Sequence, residues 1–229
     1  YAANLYVGDE TTLSLTTAGG KAGAWTYAWD NAGGTTNSYT FKAAAAGEYQ
    51  VKVLVKNTLG NSFDYTETLT YTIKVWNKCS ITQHTYPKAL YVEDEVTLSF
   101  AHAGGKDNAW SYEWDNNGGN ATSYTFKPTT AGDYQIKVLV KNTLGNTDAS
   151  YDYSETLTYT IKVWNKCSVV LGGEDGLNCF TGQKFTYTPH VSGGDTNKWT
   201  YEWYVDNQKV STSSTYTVTA PEVGNAASK

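Results

Sequence analysis

Arginine and methionine are both missing from the 229 residues of this chain, and proline (4) and cysteine (3) are scarce. All 17 basic residues are lysines, set against 22 acidic ones, for a formal net charge of -5. That balance excludes an ordinary nucleic-acid partner, because phosphate backbones are met by dense Lys and Arg surfaces. It also removes the planar fork that grips phosphates and carboxylates with two parallel bonds. No apolar run approaches the ~20 residues a helix needs to cross a bilayer. The missing methionine and the lack of a basic-then-apolar leader lead us to expect a processed chain or part of a longer one. Three cysteines and three histidines show none of the paired spacings of a tetrahedral zinc site, so neither a metal nor a cofactor is expected.

What is abundant is aromatic: 19 Tyr, 8 Trp and 6 Phe, alongside 21 Gly, with 40% hydrophobic residues overall. Such a chain can bury real cores. The sequence is also repetitive. Leu5 to Gly60 aligns with Leu90 to Gly145 at a constant offset of 85, with 38 of 56 positions identical. After a three-residue insertion near Asp148 to Ser150, Glu67 to Ser80 recurs unchanged as Glu155 to Ser168. A third copy begins near Leu177, where Gly182, Gly193, Gly194, Trp199, Tyr201 and Trp203 follow their repeat-one counterparts by 174 residues. It lacks counterparts of the two long strand-like stretches that come after Gly47. We therefore expect repeat 1 at 1–79, a linker at 80–89, repeat 2 at 90–167, a linker at 168–176 and an incomplete repeat 3 at 177–229.

Each copy reads as all-β. Tyr49 to Val55 and Leu69 to Val75 alternate with period two, the pattern of strands with one buried face. Trp25, Tyr27 and Trp29 share one face of another strand. Gly-Gly pairs at 19–20 and 33–34, with Asn57 and Gly60, supply turn chemistry. About seven strands in about 80 residues favour a two-sheet sandwich. Linkers of roughly ten residues without Ser/Gly runs favour an extended array.

Tyr27-Ala-Trp29-Asp30, Gly33-Gly34, Tyr39-Thr-Phe41, Gly47-Glu-Tyr49-Gln-Val51-Lys-Val53 and Asn57 together resemble the domains named after the polycystic kidney disease protein. Repeat 2 shows the same landmarks from Tyr112 and Trp114 to Asn142. An acidic-glycine turn usual after the tryptophan in that family is replaced here by Asn31-Ala-Gly-Gly and Asn116-Asn-Gly-Gly. The resemblance implies tandem immunoglobulin-like β-sandwiches of the kind found in surface and secreted proteins of bacteria, especially Bacteroidota, and in phage fibre or decoration proteins. It implies no reaction.

The residues have expected roles. Trp29, Trp114 and Trp203 fill the sandwich cores, each with area enough to dominate a small interior. Tyr49 and Tyr134 open a central strand with the hydroxyl on nearby backbone, as corner tyrosines do. Trp76 and Trp164, the last apolar residues of their repeats, either wedge the domain junction or stand as surface aromatics. Cys167 and Cys179, twelve residues apart, are placed for a disulfide that staples repeat 2 to repeat 3. That leaves Cys79 to pair with another chain or to stay a buried thiol. His84, His102 and His190 do not recur between repeats, and no catalytic constellation is present. The acidic pairs Asp9-Glu10, Asp94-Glu95 and Glu174-Asp175 read as solvated faces before calcium ligands.

The leading expectation is a non-enzymatic extracellular spacer or adhesive stalk on a cell surface, with a protein or glycan partner. One alternative is an array of carbohydrate-binding modules using the many Tyr and Trp. Another is a fibre, decoration or appendage subunit that self-associates through the incomplete third repeat.

Overall fold

Most stretches in which apolar and polar residues alternate are strands. The computed structural model describes residues 1–30, 34–60, 63–115, 118–172 and 180–222. In repeat 1 the strands are β1 (Asn4–Tyr6), β2 (Glu10–Ser14), β3 (Trp25–Trp29), β4 (Ser38–Lys42), β5 (Gly47–Asn57) and β6 (Tyr65–Trp76). β5 buries Val51, Val53 and Val55 and turns Lys52 and Lys56 to solvent. β1-β6-β5-β3 form one sheet and β2-β4 the other. Side chains from both make a single core: Leu5, Leu13, Trp29, Phe41, the three valines and Ile73.

One feature of the connectivity fixes the type of sandwich. β1 runs parallel to β6, with Tyr6 opposite Trp76, and the chain then crosses at Val7–Asp9 into β2 of the opposite sheet. Repeat 2 repeats the plan with β8 (Ala89–Tyr91), β9 (Val96–Ala103), β10 (Trp110–Trp114), β11 (Ser123–Phe126), β12 (Gly132–Asn142) and β13 (Tyr153–Trp164). It also has an extra strand at its front, β7 (Ser80–Gln83), which gives sheets β10-β12-β13-β8 and β11-β9-β7. Two sheets whose first strand is split between them, with its second half parallel to the last strand, make an immunoglobulin-like sandwich.

In repeat 3, β14 (Ser168–Gly172), β15 (Lys184–Ser192) and β18 (Tyr216–Thr219) form one sheet, and β16 (Trp203–Val205) pairs with β17 (Gln208–Ser211) as a hairpin. The chain separates into two compact units, one of residues 1–86, 97–125 and 136–159, the other of 87–96, 126–135 and 160–229. β12 and β13 contribute to both.

The segments that read as linkers contain ladder. β7 lies within 80–89 and pairs antiparallel with β9, Ser80 opposite Ala103 and Gln83 opposite Phe100. β14 lies within 168–176 and pairs with β15, Ser168 opposite Ser192. Four or five residues are too few for alternation to declare itself, so their pairing is set by the repeat that follows.

Candidate functional site at the repeat junctions

The identical segments of the two repeats meet where one repeat hands over to the next. In the first unit, the end of β12 is pinned from inside by Asn142. Its Oδ1 accepts the Lys106 N–H at 2.8 Å, and its Nδ2 donates to the Lys106 carbonyl at 3.0 Å. Asn57 holds Lys21 the same way, at 2.9 and 3.0 Å. Both amides are buried, and a buried amide with its donors and acceptors met rigidifies the loop it crosses.

Onto this loop repeat 1 sets its base. The Tyr6 hydroxyl donates toward the Asn142 carbonyl at 2.9 Å and Oδ1 at 2.8 Å. Asn4 and Asn146 exchange two bonds, Asn4 N–H to Oδ1 at 3.0 Å and Nδ2 to the Asn4 carbonyl at 2.7 Å. The Tyr151 hydroxyl donates to the Glu10 carbonyl at 3.0 Å. The Gly105 N–H donates to the Asn77 carbonyl at 2.9 Å. Beside it, Gly104 has φ +71°, and a Cβ there would lie 2.1 Å from the Lys78 carbonyl oxygen. Only glycine fits.

The second unit contains the same handover. Gly194 N–H donates to the Asn165 carbonyl at 2.8 Å, and a Cβ on Gly193 (φ +74°) would lie 2.0 Å from the Lys166 carbonyl oxygen. Cys167 Sγ donates to the Tyr91 hydroxyl at 3.5 Å. Among the described residues, repeat 3 has no counterpart of the Asn142 strand, and Tyr91 is 41% exposed where Tyr6 is 8% exposed. Burial pushes the Tyr6 hydroxyl well above the usual tyrosine range, with the neighbouring Cys79 adding to the effect. Burial likewise raises the Cys79 thiol, against a hydrogen bond from Tyr6 that lowers it.

The predicted residues fall as follows. Trp29 and Trp114 are 6% and 4% exposed, and each indole N–H donates to backbone, to Thr36 and Ala121, both at 2.8 Å. Each is flanked by two tyrosines, Trp29 by Tyr39 and Tyr71, Trp114 by Tyr124 and Tyr159, with ring centroids 5.4–5.7 Å apart. Trp203 keeps the indole bond, to the Ser213 carbonyl at 2.8 Å, and one tyrosine, Tyr216, but is only half-buried. The Tyr49 and Tyr134 hydroxyls donate four residues back, to the Ala45 and Thr130 carbonyls at 2.8 and 2.9 Å.

Trp76 is half-buried under the Lys74 ammonium, with its indole N–H 3.4 Å from Asn4 Oδ1. Trp164 sits under Lys162 and lines a cleft of about 680 Å³ with Tyr91, Cys167 and Trp199. Cys79 and Cys167 are free thiols, while Cys179, the expected partner of Cys167, lies outside the described residues. Among the acidic pairs, Asp9 and Asp94 brace the turn after Tyr6 and Tyr91 by accepting those residues' N–H at 3.0 and 2.9 Å. Glu10 pairs with Lys42 at 2.8 Å. Glu174 and Asp175 lie outside the described residues.

The chain is a tandem of immunoglobulin-like repeats. Within it, residues 102–164 match the family described as the Y_Y_Y domain. The chain is 31% identical over 237 aligned residues to the highly immunogenic outer capsid protein of Enterobacteria phage T4, covering 95% of this chain. It spans 63% of that relative's length, less than two thirds. Among solved structures, it is similar to three N-terminal domains of the bacteriophage RB49 highly immunogenic outer capsid protein, with 18% identity and a TM-score of 0.39 over 88% of this chain and 70% of that one. It is also similar to titin domains I67–I69, with 11% identity and a TM-score of 0.49 over 98% and 87%.

Reading for chemistry passed over the junction residues Tyr6, Asn77, Gly104, Gly105 and Asn142. The signal was there in three invariant strings, Leu-Tyr-Val-x-Asp, Ala-Gly-Gly-Lys and Trp-Asn-Lys-Cys-Ser. No helix among the described residues is long and apolar enough to cross a membrane.

Proposed function

We propose that the chain is a non-enzymatic, outward-facing segment of a phage outer capsid protein, a decoration of the virion surface built from repeats whose junctions are hydrogen-bonded. The observation that carries this reading is the likeness to the T4 outer capsid protein, which runs through 95% of the chain and so takes in both junctions. In this reading the repeats are those expected at 1–79, 90–167 and 177–229, with the second and third each taking a front edge strand from the segment before it. The partners are proteins or glycans met at the outer face of the particle.

A bank of sugar-stacking tryptophans fits less well. The exposed large hydrophobics include Tyr1, Leu59 and Phe180 but none of the eight tryptophans. Immunogold labelling tests the proposal, with antibodies raised against this chain applied to particles from a lysate that expresses the gene. Gold over intact capsids is the expected result. Gold confined to cell envelopes would return the chain to the class of cell-surface stalks.

A further inference from the structure

Repeats 2 and 3 each receive an edge strand from the segment that precedes them, and repeat 1 has the same receiving face. In repeat 2, β9 runs on to Ala103 because β7 pairs with Phe100–Ala103. In repeat 1, β2 stops at Ser14, and the equivalent Leu15–Ala18 is not in a ladder. Its other side is in place: Leu15 N–H donates to the Asn37 carbonyl at 3.1 Å, as Phe100 N–H does to the Thr122 carbonyl at 3.1 Å. The loop beyond is likewise ready, since Asn57 already holds Lys21 in the geometry by which Asn142 holds Lys106.

Beside this edge lies a cleft of about 480 Å³ lined by Leu15, Gly20, Lys21, Trp25, Leu59 and Tyr65. Leu59 and Leu144 are the same residue in the two repeats. Each donates its N–H to an aspartate at 2.7 Å, Asp64 and Asp152 respectively. Yet Leu59 is 46% exposed and Leu144 is fully buried. Gly19 tells the same story: it keeps φ +70° like Gly104, but a Cβ there would meet nothing within 4 Å.

We propose that this face of repeat 1 is a docking surface for the base of a further immunoglobulin-like repeat, whose Asn-Lys-Cys-Ser segment adds as an edge strand along Leu15–Ala18. The occupant is a repeat joined ahead of Tyr1, the geometry by which repeat 1 itself docks on repeat 2. Its Asn carbonyl takes the Gly20 N–H, its Lys carbonyl passes over Gly19, and a tyrosine hydroxyl in the place of Tyr6 reaches Asn57. Strand addition of this kind satisfies open backbone groups while the side chains of the edge set the register. The inference goes beyond the capsid reading and stands or falls separately from it.

The test duplicates residues 1–85 ahead of Tyr1 in the full chain and compares amide exchange with the unextended chain. Amides in Leu15–Lys21 are expected to slow at least about tenfold on extension. Those of Phe100–Lys106, already covered, serve as the internal standard of folding. Gly19→Ala in the extended chain is expected to restore fast exchange at Leu15–Lys21 while β2 and β4 stay protected. Unchanged exchange on extension, or protection that survives Gly19→Ala, would overturn the proposal. So would protection of the unextended chain that rises with concentration alongside a dimer mass, since the occupant would then be a second copy.

Discussion

The strongest quantitative consequence of the junction geometry concerns a pair of equivalent glycines. Gly19→Ala and Gly104→Ala place the same methyl at the same backbone conformation, φ +70° and +71°. Each incurs the left-handed penalty of roughly 1–2 kcal/mol. At Gly19 that is the whole cost, because open space surrounds the new atom. At Gly104 the methyl would sit 2.1 Å from the Lys78 carbonyl oxygen, a backbone atom with no rotamer to escape into. The Asn77–Lys78 segment must retreat, giving up the Gly105–Asn77 bond, about 1 kcal/mol, and loosening the start of β7. Gly104→Ala is therefore expected to destabilise the junction by about 1–2 kcal/mol more than Gly19→Ala destabilises its loop. Amide exchange at Phe100–Ala103, the segment that pairs with β7, is the appropriate assay because it reads local opening. An excess of that size accelerates exchange there roughly five- to thirty-fold, while Gly19→Ala leaves it alone. Equal effects of the two substitutions on β9 would refute the claim that the linker lies against Gly104.

Further expectations follow from the same contacts. Tyr6→Phe removes the hydroxyl from Asn142 and from Cys79, at a cost of about 1 kcal/mol, and is expected to slow alkylation of Cys79, measured by mass spectrometry, because the bond that favours the thiolate is lost. Trp114→Ala is expected to cost about 3–5 kcal/mol in urea unfolding of repeat 2, with the ring of tyrosines left around a cavity; a loss under 1 kcal/mol would contradict its placement in the core. Tyr159, wholly buried and donating to the Ser99 carbonyl at 2.8 Å, has its ionisation pushed up to about 12 by burial. Its folded value lies above the unfolded value of about 10, so its contribution is complete below pH ~10 and is lost as pH rises through about 12. Thermal midpoints are expected to hold between about pH 7 and 9 and to fall above about 10, less steeply in Tyr159→Phe; a flat profile to about pH 12 would count against it.

The fold was legible because its determinants are periodic and large. Parity alone put Trp29 and Val51, Val53 and Val55 on buried strand faces, which prove to be the same inner face of one sheet, and the copied landmarks tied repeat 2 to the same plan. The junction was much less legible. Its working parts are Gly104 beside a carbonyl, Asn142 mimicking backbone and a four-residue strand at Ser80–Gln83, and none of these announces itself through hydrophobicity. Repetition of Ala-Gly-Gly-Lys and Trp-Asn-Lys-Cys-Ser pointed to importance without saying that the two strings touch. Trp203 shows the opposite case. Its aromatic position predicted a core, but the described residues of repeat 3 include no counterpart of the two long strands that cover Trp29 and Trp114, and the ring is half-buried.

The handover strand has one more effect. Ser80–Gln83 leaves the first repeat as its tail and enters the second as part of its sheet, so nothing slack separates them. A protease seeking a nick between these two modules finds its scissile bond already tied into a ladder, and must wait for that edge to peel away before it can cut.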